Sequence, residues 1–287
     1  MELDRNLVHW YFNDDVVPYV FIRKENRINR PGTLHKSTWF HKEPMYIDAL
    51  KMKNVDFANE ILNMESKAFA ATNMPMPRWV FYDCAIVPGF VAGFAMKRKS
   101  VPAKVLEAIK PIGNSEWLPI SLFIIIPSSN PGEWVAHNLC SFNSLVEKPH
   151  QFSSLGFLSK AFALWYANIA IQVGMTQWTS PALKLHCNYG KFEILTAYTP
   201  IHSYATTLTY RLIVDPKFWG NFFKENLDER SYAEDLVASP YRVDPAKEQS
   251  LIDFQSVLER EERNYYLNAI EILNKPLGSP YQIYQEK

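Results

Sequence analysis

The chain has 287 residues, enough for one large domain or two modest ones with a sizeable core. Thirty basic residues balance thirty acidic ones, which excludes a global electrostatic pull toward nucleic acid or an anionic membrane. A hydrophobic share of 47% against 21% charged residues is that of an ordinary globular protein, and the aromatic share of 14% supplies large side chains for a core or a pocket.

Three cysteines (Cys84, Cys140 and Cys187) cannot all pair and lack metal-ligand spacing, so they read as free thiols in a reducing compartment. The opening residues, MELDRNLVHWYFNDD, carry no basic-then-apolar signal region. The most apolar stretch, at 157–173, is broken by Ser159, Lys160 and Asn168, so no membrane span is expected. The expectation is a cytoplasmic protein with no membrane span, no nucleic-acid partner and no bound metal.

In chain order, residues 16–23 (VVPYVFIR) read as a strand and 27–32 (RINRPG) as a loop. Arg23, Lys24, Arg27 and Arg30 place four cations there, a solvated loop or a phosphate contact. The 3.6-residue spacing of Ile47, Leu50, Val55, Ala58, Ile61, Leu62, Met64 and Phe69 predicts a helix over 46–72. Residues 79–86 (WVFYDCAI) and 90–96 read as strands around the Pro88-Gly89 turn, and 101–109 as a short helix. Residues 118–126 (LPISLFIII) are too apolar for an exposed strand, and 134–146 follow as the next strand. Residues 78–146 thus read as neighbouring antiparallel strands.

Residues 157–173 read as a long apolar helix, followed by a strand ending at Ser180, a short helix over 181–189 and a strand pair over 192–214. Asp215-Pro216 and Asp244-Pro245 are helix-start signals, predicting a helix over 217–225 and one long helix over 246–273. Residues 275–287 read as a loose or docked tail. The fold class is α/β (α+β): a mixed, mostly antiparallel central sheet flanked by helices, with a helical C-terminal extension. The expected division is an N-terminal extension over 1–45, a core over 46–214 and the extension over 215–287.

The turn Gln151-Phe152-Ser153-Ser154-Leu155-Gly156 sits where a helix begins, and a helix N-terminus offers unsatisfied N–H groups and partial positive charge to an anion. Ser153 or Ser154 can equally serve as a plain helix cap. In register this turn resembles the acyl-CoA loop of the GNAT superfamily of N-acetyltransferases, Q/R-x-x-G-x-G/A. Gln151, Ser154 and Gly156 fall at its three positions, with Ser154 where the first glycine is usual. Val146 stands where that family's preceding strand commonly ends. The segment Ala182 to Phe192 is similar to its alanine-rich, Tyr, Gly-Phe segment, with one residue inserted between Gly190 and Phe192. The resemblance covers about residues 46–214.

The resemblance implies acyl transfer from an acyl-CoA thioester, as co-substrate, to an amine or other small acceptor by direct attack. It implies that the pyrophosphate meets Gln151, Ser153, Ser154, Leu155, Gly156 and Phe157, and that the pantetheine runs along the strand edge near Cys140 and Phe142. The family's usual acid, a tyrosine four residues before the glycine, is His186 here, and Tyr189 lies one residue before Gly190. His137 and Glu133 are base candidates four residues apart on one strand, with Asp83 a third. The plainer readings are a hydrogen-bonded His137 and a turn residue at Glu133.

A cysteine nucleophile is disfavoured, since His186 and Cys187 are adjacent and point about 100° apart on a helix. Ser203 beside His202 lacks a nucleophile turn. The alternative to an enzyme is a non-catalytic module of the same fold that binds a ligand or protein. A homodimer is compatible with either.

Overall fold

The computed structural model describes residues 9–28, 43–72, 74–222 and 235–287. Strand β1 (Val16–Ile22) is buried on both faces. It pairs in parallel with β2 (Met45–Asp48), so the segment predicted as the start of a helix is a strand. Helix α1 (Val55–Phe69) begins only at Val55 and buries Phe57, Ile61 and Met64, one helical stripe. Its two buried acids are hydrogen-bonded: Glu60 accepts at Oε1 from Arg98 and the Gly113 N–H, and Glu65 from the Met76 N–H.

The stretch read as a strand at 79–86 is helical. A turn, α2 (Arg78–Val80), runs into a π-helical segment (Phe81–Ile86) that buries Phe81, Ala85 and Ile86 and exposes Trp79 and Tyr82. The close approach after it explains Gly89, where a Cβ would stand 2.4 Å from the Ile125 carbonyl oxygen.

Three antiparallel strands then form the middle of the sheet, as expected. Strand β3 (Phe90–Lys97) is followed by α3 (Ala103–Ile109), β4 (Trp117–Pro119), β5 (Ser121–Pro127) and β6 (Glu133–Ser141). Strand β6 ends at Ser141, and Phe142–Leu145 is a 3-10 turn where the strand was predicted to continue.

Helix α4 (Leu155–Ala167) is buried along almost its whole length. It ends at Asn168, whose left-handed conformation returns its N–H to the Leu164 and Trp165 carbonyls. The predicted last turn of that helix is instead the start of β7 (Ile171–Gln177). Helix α5 (Pro181–His186), capped by Ser180, precedes β8 (Lys191–Thr196) and β9 (Thr207–Ile213).

Helix α6 (Pro216–Phe222) starts at the Asp215 cap, and the rest of the helix predicted to 225 lies outside the described residues. Beyond it the predicted single helix is broken into parts. Strand β10 (Leu236–Val243) leads to α7 (Glu248–Arg260), β11 (Tyr265–Leu267), α8 (Ala269–Asn274) and β12 (Tyr281–Glu286). Tyr265, Tyr266 and Leu267 are consecutive and all buried, which a one-sided helix cannot accommodate. Asn268 then caps α8, accepting from the Ile270 N–H at 2.9 Å. The predicted tail is a sheet strand.

The described residues form a 12-stranded sheet in the order β10-β12-β11-β8-β9-β7-β6-β5-β3-β1-β2, with β4 beside β3. One core lies between the sheet and α4, and a second between the sheet and α1 with the helical segment after it.

Two stability predictions follow from this packing. Ile283 on β12 is fully buried, so Ile283→Ala should cost about 2–5 kcal/mol in denaturant unfolding, where a loose tail would show no change. Ser154 holds φ +60° without a side-chain cap bond, a conformation that glycine adopts without strain. Ser154→Gly should therefore stabilise by about 1 kcal/mol; a loss instead would mean that the hydroxyl holds the turn.

Candidate active site

The site is built where two neighbouring strands part. Strands β6 and β7 pair in parallel through only three rungs, ending at Val135 and Val173. The cause is on the other side of β6. Its register with β5 jumps between Leu139 and Ala136, so His137 and Asn138 together face one residue of β5. Such a bulge bends its strand and increases the local twist. From there β7 follows β9, β6 follows β5, and a wedge opens between them.

The connection after β6 is held by side chains. Asn143 accepts from the Phe152 N–H at 2.9 Å and donates to the Phe152 carbonyl at 2.7 Å. Gln151 donates to the carbonyls of Asn143 and Val146. Phe142 meets Phe152 edge-on, and Trp10 stacks on Phe152 while donating to the Ser153 carbonyl. Ser154 then turns the chain into α4, and Leu158 returns its N–H to Ser154. Helix geometry leaves the Gly156 and Phe157 N–H groups at the first turn without intrahelical carbonyls. A Cβ on Gly156 would touch only Leu185, at 3.9 Å.

Below the wedge, on the α4 side, lies a buried basic pair. Lys160 is fully buried and its Nζ is 2.9 Å from Nδ1 of His186, itself 6% exposed. Burial pushes the lysine well below its ordinary value, with Cys187 opposing. Burial, then Lys160, pushes His186 well below the usual imidazole range. Tyr189 is buried beside them, but its hydroxyl donates to the Phe157 carbonyl at 2.9 Å and its ring stacks on Phe157.

On the α1 side the bulge carries a relay. Asn138 Nδ2 donates to Glu65 Oε1 at 2.6 Å, which fixes the amide so that its oxygen faces His137 Nδ1 at 3.0 Å. An amide oxygen only accepts, so Nδ1 carries the hydrogen and Nε2 keeps its lone pair. Desolvation lowers the His137 pKa, opposed by the Asn138 bond, and burial raises that of Glu65 against its bonds from Met76 and Asn138.

The remaining sequence candidates lie elsewhere or are committed. Glu133 stands at the closed end of the wedge, accepting from Ser128 and Asn130, with Arg211 at 3.9 Å. Asp83 lies on the π-helical segment, in a groove of about 640 Å³ with Trp79 and Tyr82. Burial raises the Cys140 and Cys187 thiols, opposite to what a nucleophile needs. Arg27 covers the Tyr46 ring, and Arg30 lies outside the described residues. Sequence reasoning did not bring Glu65, Asn138 or Lys160 to the site. Only Lys160 left a signal, as the one charge in an apolar helix. Among the described residues no group of acids, histidines and cysteines is arranged to hold a metal, and no helix is long and apolar enough to cross a membrane.

No protein-family model and no curated protein sequence matches the chain. Among solved structures it is similar to one described as the NatC complex bound to Gag peptide and CoA, at 12% identity and TM-score 0.40, over 58% of this chain and 96% of that one. It is also similar to the ribosomal-protein-S18-alanine N-acetyltransferase from Escherichia coli, at 12% identity and TM-score 0.36, over 58% and 91% of the two chains. The chain's own antiparallel run, its parted parallel strands and the loop and helix between them make a mixed, mostly antiparallel sheet flanked by helices.

Proposed function

We propose that this protein transfers an acyl group from an acyl-CoA thioester to an amine or other small acceptor by direct attack. The observation that carries the reading is the wedge: β6 loses its β7 partner after Val135 and leads into the turn that opens α4, whose Gly156 and Phe157 N–H groups have no intrahelical carbonyl. Unpaired strand edge suits the amides of a pantetheine arm, and a helix N-terminus suits a pyrophosphate. The residues assigned to the co-substrate are Gln151, Ser153, Ser154, Leu155, Gly156 and Phe157 for the phosphates, with Cys140 and Phe142 along the strand. Gln151 acts by tying the turn to Asn143 and Val146.

The two sides of the wedge divide the proton work. His137, with its Nε2 lone pair unblocked, is the base for the acceptor. His186 is the proton donor for the departing sulfur, since the Tyr189 hydroxyl is committed to α4. Glu133 is assigned to the turn at the closed end. The Ser154 departure favours one alternative, a fold retained as a non-catalytic ligand- or protein-binding module.

Gly156→Trp separates the two readings, because a Cβ there meets only Leu185, in ordinary contact. It should lower CoA affinity at least about tenfold, as loss of one or two charge-assisted contacts would. Unchanged affinity, or no affinity in the parent protein, would remove the loop from the reading. For the base, CoA release from acetyl-CoA with a primary-amine acceptor should rise with pH through a His137 pKa below about 6.5 and then level off. His137→Gln should cut that rate about 10²–10⁴-fold; a variant with the parent's rate and pH profile would exclude His137.

A further inference from the structure

The position of Lys160 is set by the strands on either side of it. Its Nζ lies 5.7 Å from the Phe123 ring and 5.8 Å from the Tyr210 ring. Phe123 belongs to β5 and Tyr210 to β9, the strands flanking β6 and β7. Phe123 faces Leu139 and Tyr210 faces Gly174, both beyond the last rung that joins β6 to β7. The ammonium therefore lies beneath the open wedge. It rests over the Tyr189 ring at 4.6 Å, and among the described residues no carboxylate pairs with it. A fully buried lysine with no counter-charge is costly, and a packing role would be served better by an apolar residue.

We infer that Lys160 is a positioning residue that holds His186 with its proton on Nε2 and resupplies that proton as the CoA sulfur departs. This rests on the acyl-CoA reading above. A lysine ammonium only donates, so at 2.9 Å it fixes His186 Nδ1 as the acceptor and leaves the hydrogen on Nε2. As the acceptor nitrogen bonds to the acyl carbon, the carbon–sulfur bond breaks and its electron pair stays on sulfur. The Nε2 proton passes to sulfur and a Nζ proton passes to Nδ1. Lys160 is left as a neutral amine, His186 as the other neutral tautomer, and the acceptor's proton is on the base. Burial suits the transfer, since desolvation lowers the lysine and makes its ammonium a stronger proton donor.

The test reads binding and ionisation, so it needs no acceptor. The thiol of bound CoA is titrated by thiolate absorbance in the parent protein, Lys160→Met and His186→Gln, with desulfo-CoA as the affinity control. The expected midpoint in the parent is about one to three pH units below that in Lys160→Met, with desulfo-CoA bound equally by both. Adding Lys160→Met to His186→Gln should change nothing further, because the lysine acts through the histidine. Equal midpoints, a fall in desulfo-CoA affinity, or a further shift in the double variant would each overturn the inference while leaving the acyl-CoA reading in place. Failure of the parent to bind either ligand would instead overturn that reading, and this inference with it.

A ligand-free readout checks that Lys160 titrates as required. Its pKa is lowered by folding, so the cost of its charge is full below the folded value and fades as pH rises to the unfolded one. The parent's melting temperature should gain on that of Lys160→Met between neutral pH and about 10. A constant gap would contradict the buried-ammonium account.

Discussion

Everything proposed for this chain depends on one interruption of pairing. A parallel ladder between β6 and β7 would be continuous if β6 kept its register with β5. The extra residue at His137-Asn138 prevents that, and the sheet opens in its middle instead of at an edge. The opening leaves half-buried strand backbone without a strand partner. A bound chain with its own amides is a natural way to satisfy it. The loop after β6 is braced by Asn143, Gln151 and Trp10, so the turn into α4 is set before any ligand arrives.

The same bulge sorts the ionisable groups to opposite faces. Toward α1 it presents His137 and Asn138, anchored by a glutamate that burial and the Met76 N–H fix in place. Toward α4 the wedge sits over Lys160 and His186, whose charged forms burial disfavours, with no carboxylate pairing with Lys160 among the described residues. The C-terminal strands add to this frame from one side only, continuing the sheet beyond β8 through β11, β12 and β10.

Local signals in the sequence carried far, and signals that depend on remote packing did not. The strands at 90–97 and 121–127 are buried on both faces and were legible as unbroken apolar runs. Gln151 and Gly156 were legible because a loop entering a helix keeps its residue spacing. The segment 79–86 misled because its residues favour strands, while its burial at Phe81, Ala85 and Ile86 is helical and set by packing against β3 and β5. The three-residue β11 is too short to mark a period, and the charged run before it reads as helix. The site's pairs were invisible for the same reason: Lys160 and His186 are 26 residues apart, and Glu65 and Asn138 are 73 apart. Only the fold brings them together.

The most direct test of the central claim is a thermal shift with CoA, acetyl-CoA and a long-chain acyl-CoA. A ligand that binds only the folded state raises its melting temperature by mass action, by about 2.7 kcal/mol of stability at a hundredfold excess over Kd. The account predicts a clear rise, and the preferred chain length would size the acyl pocket. No rise with any of the three would contradict it and leave a parted sheet that binds something other than an acyl-CoA.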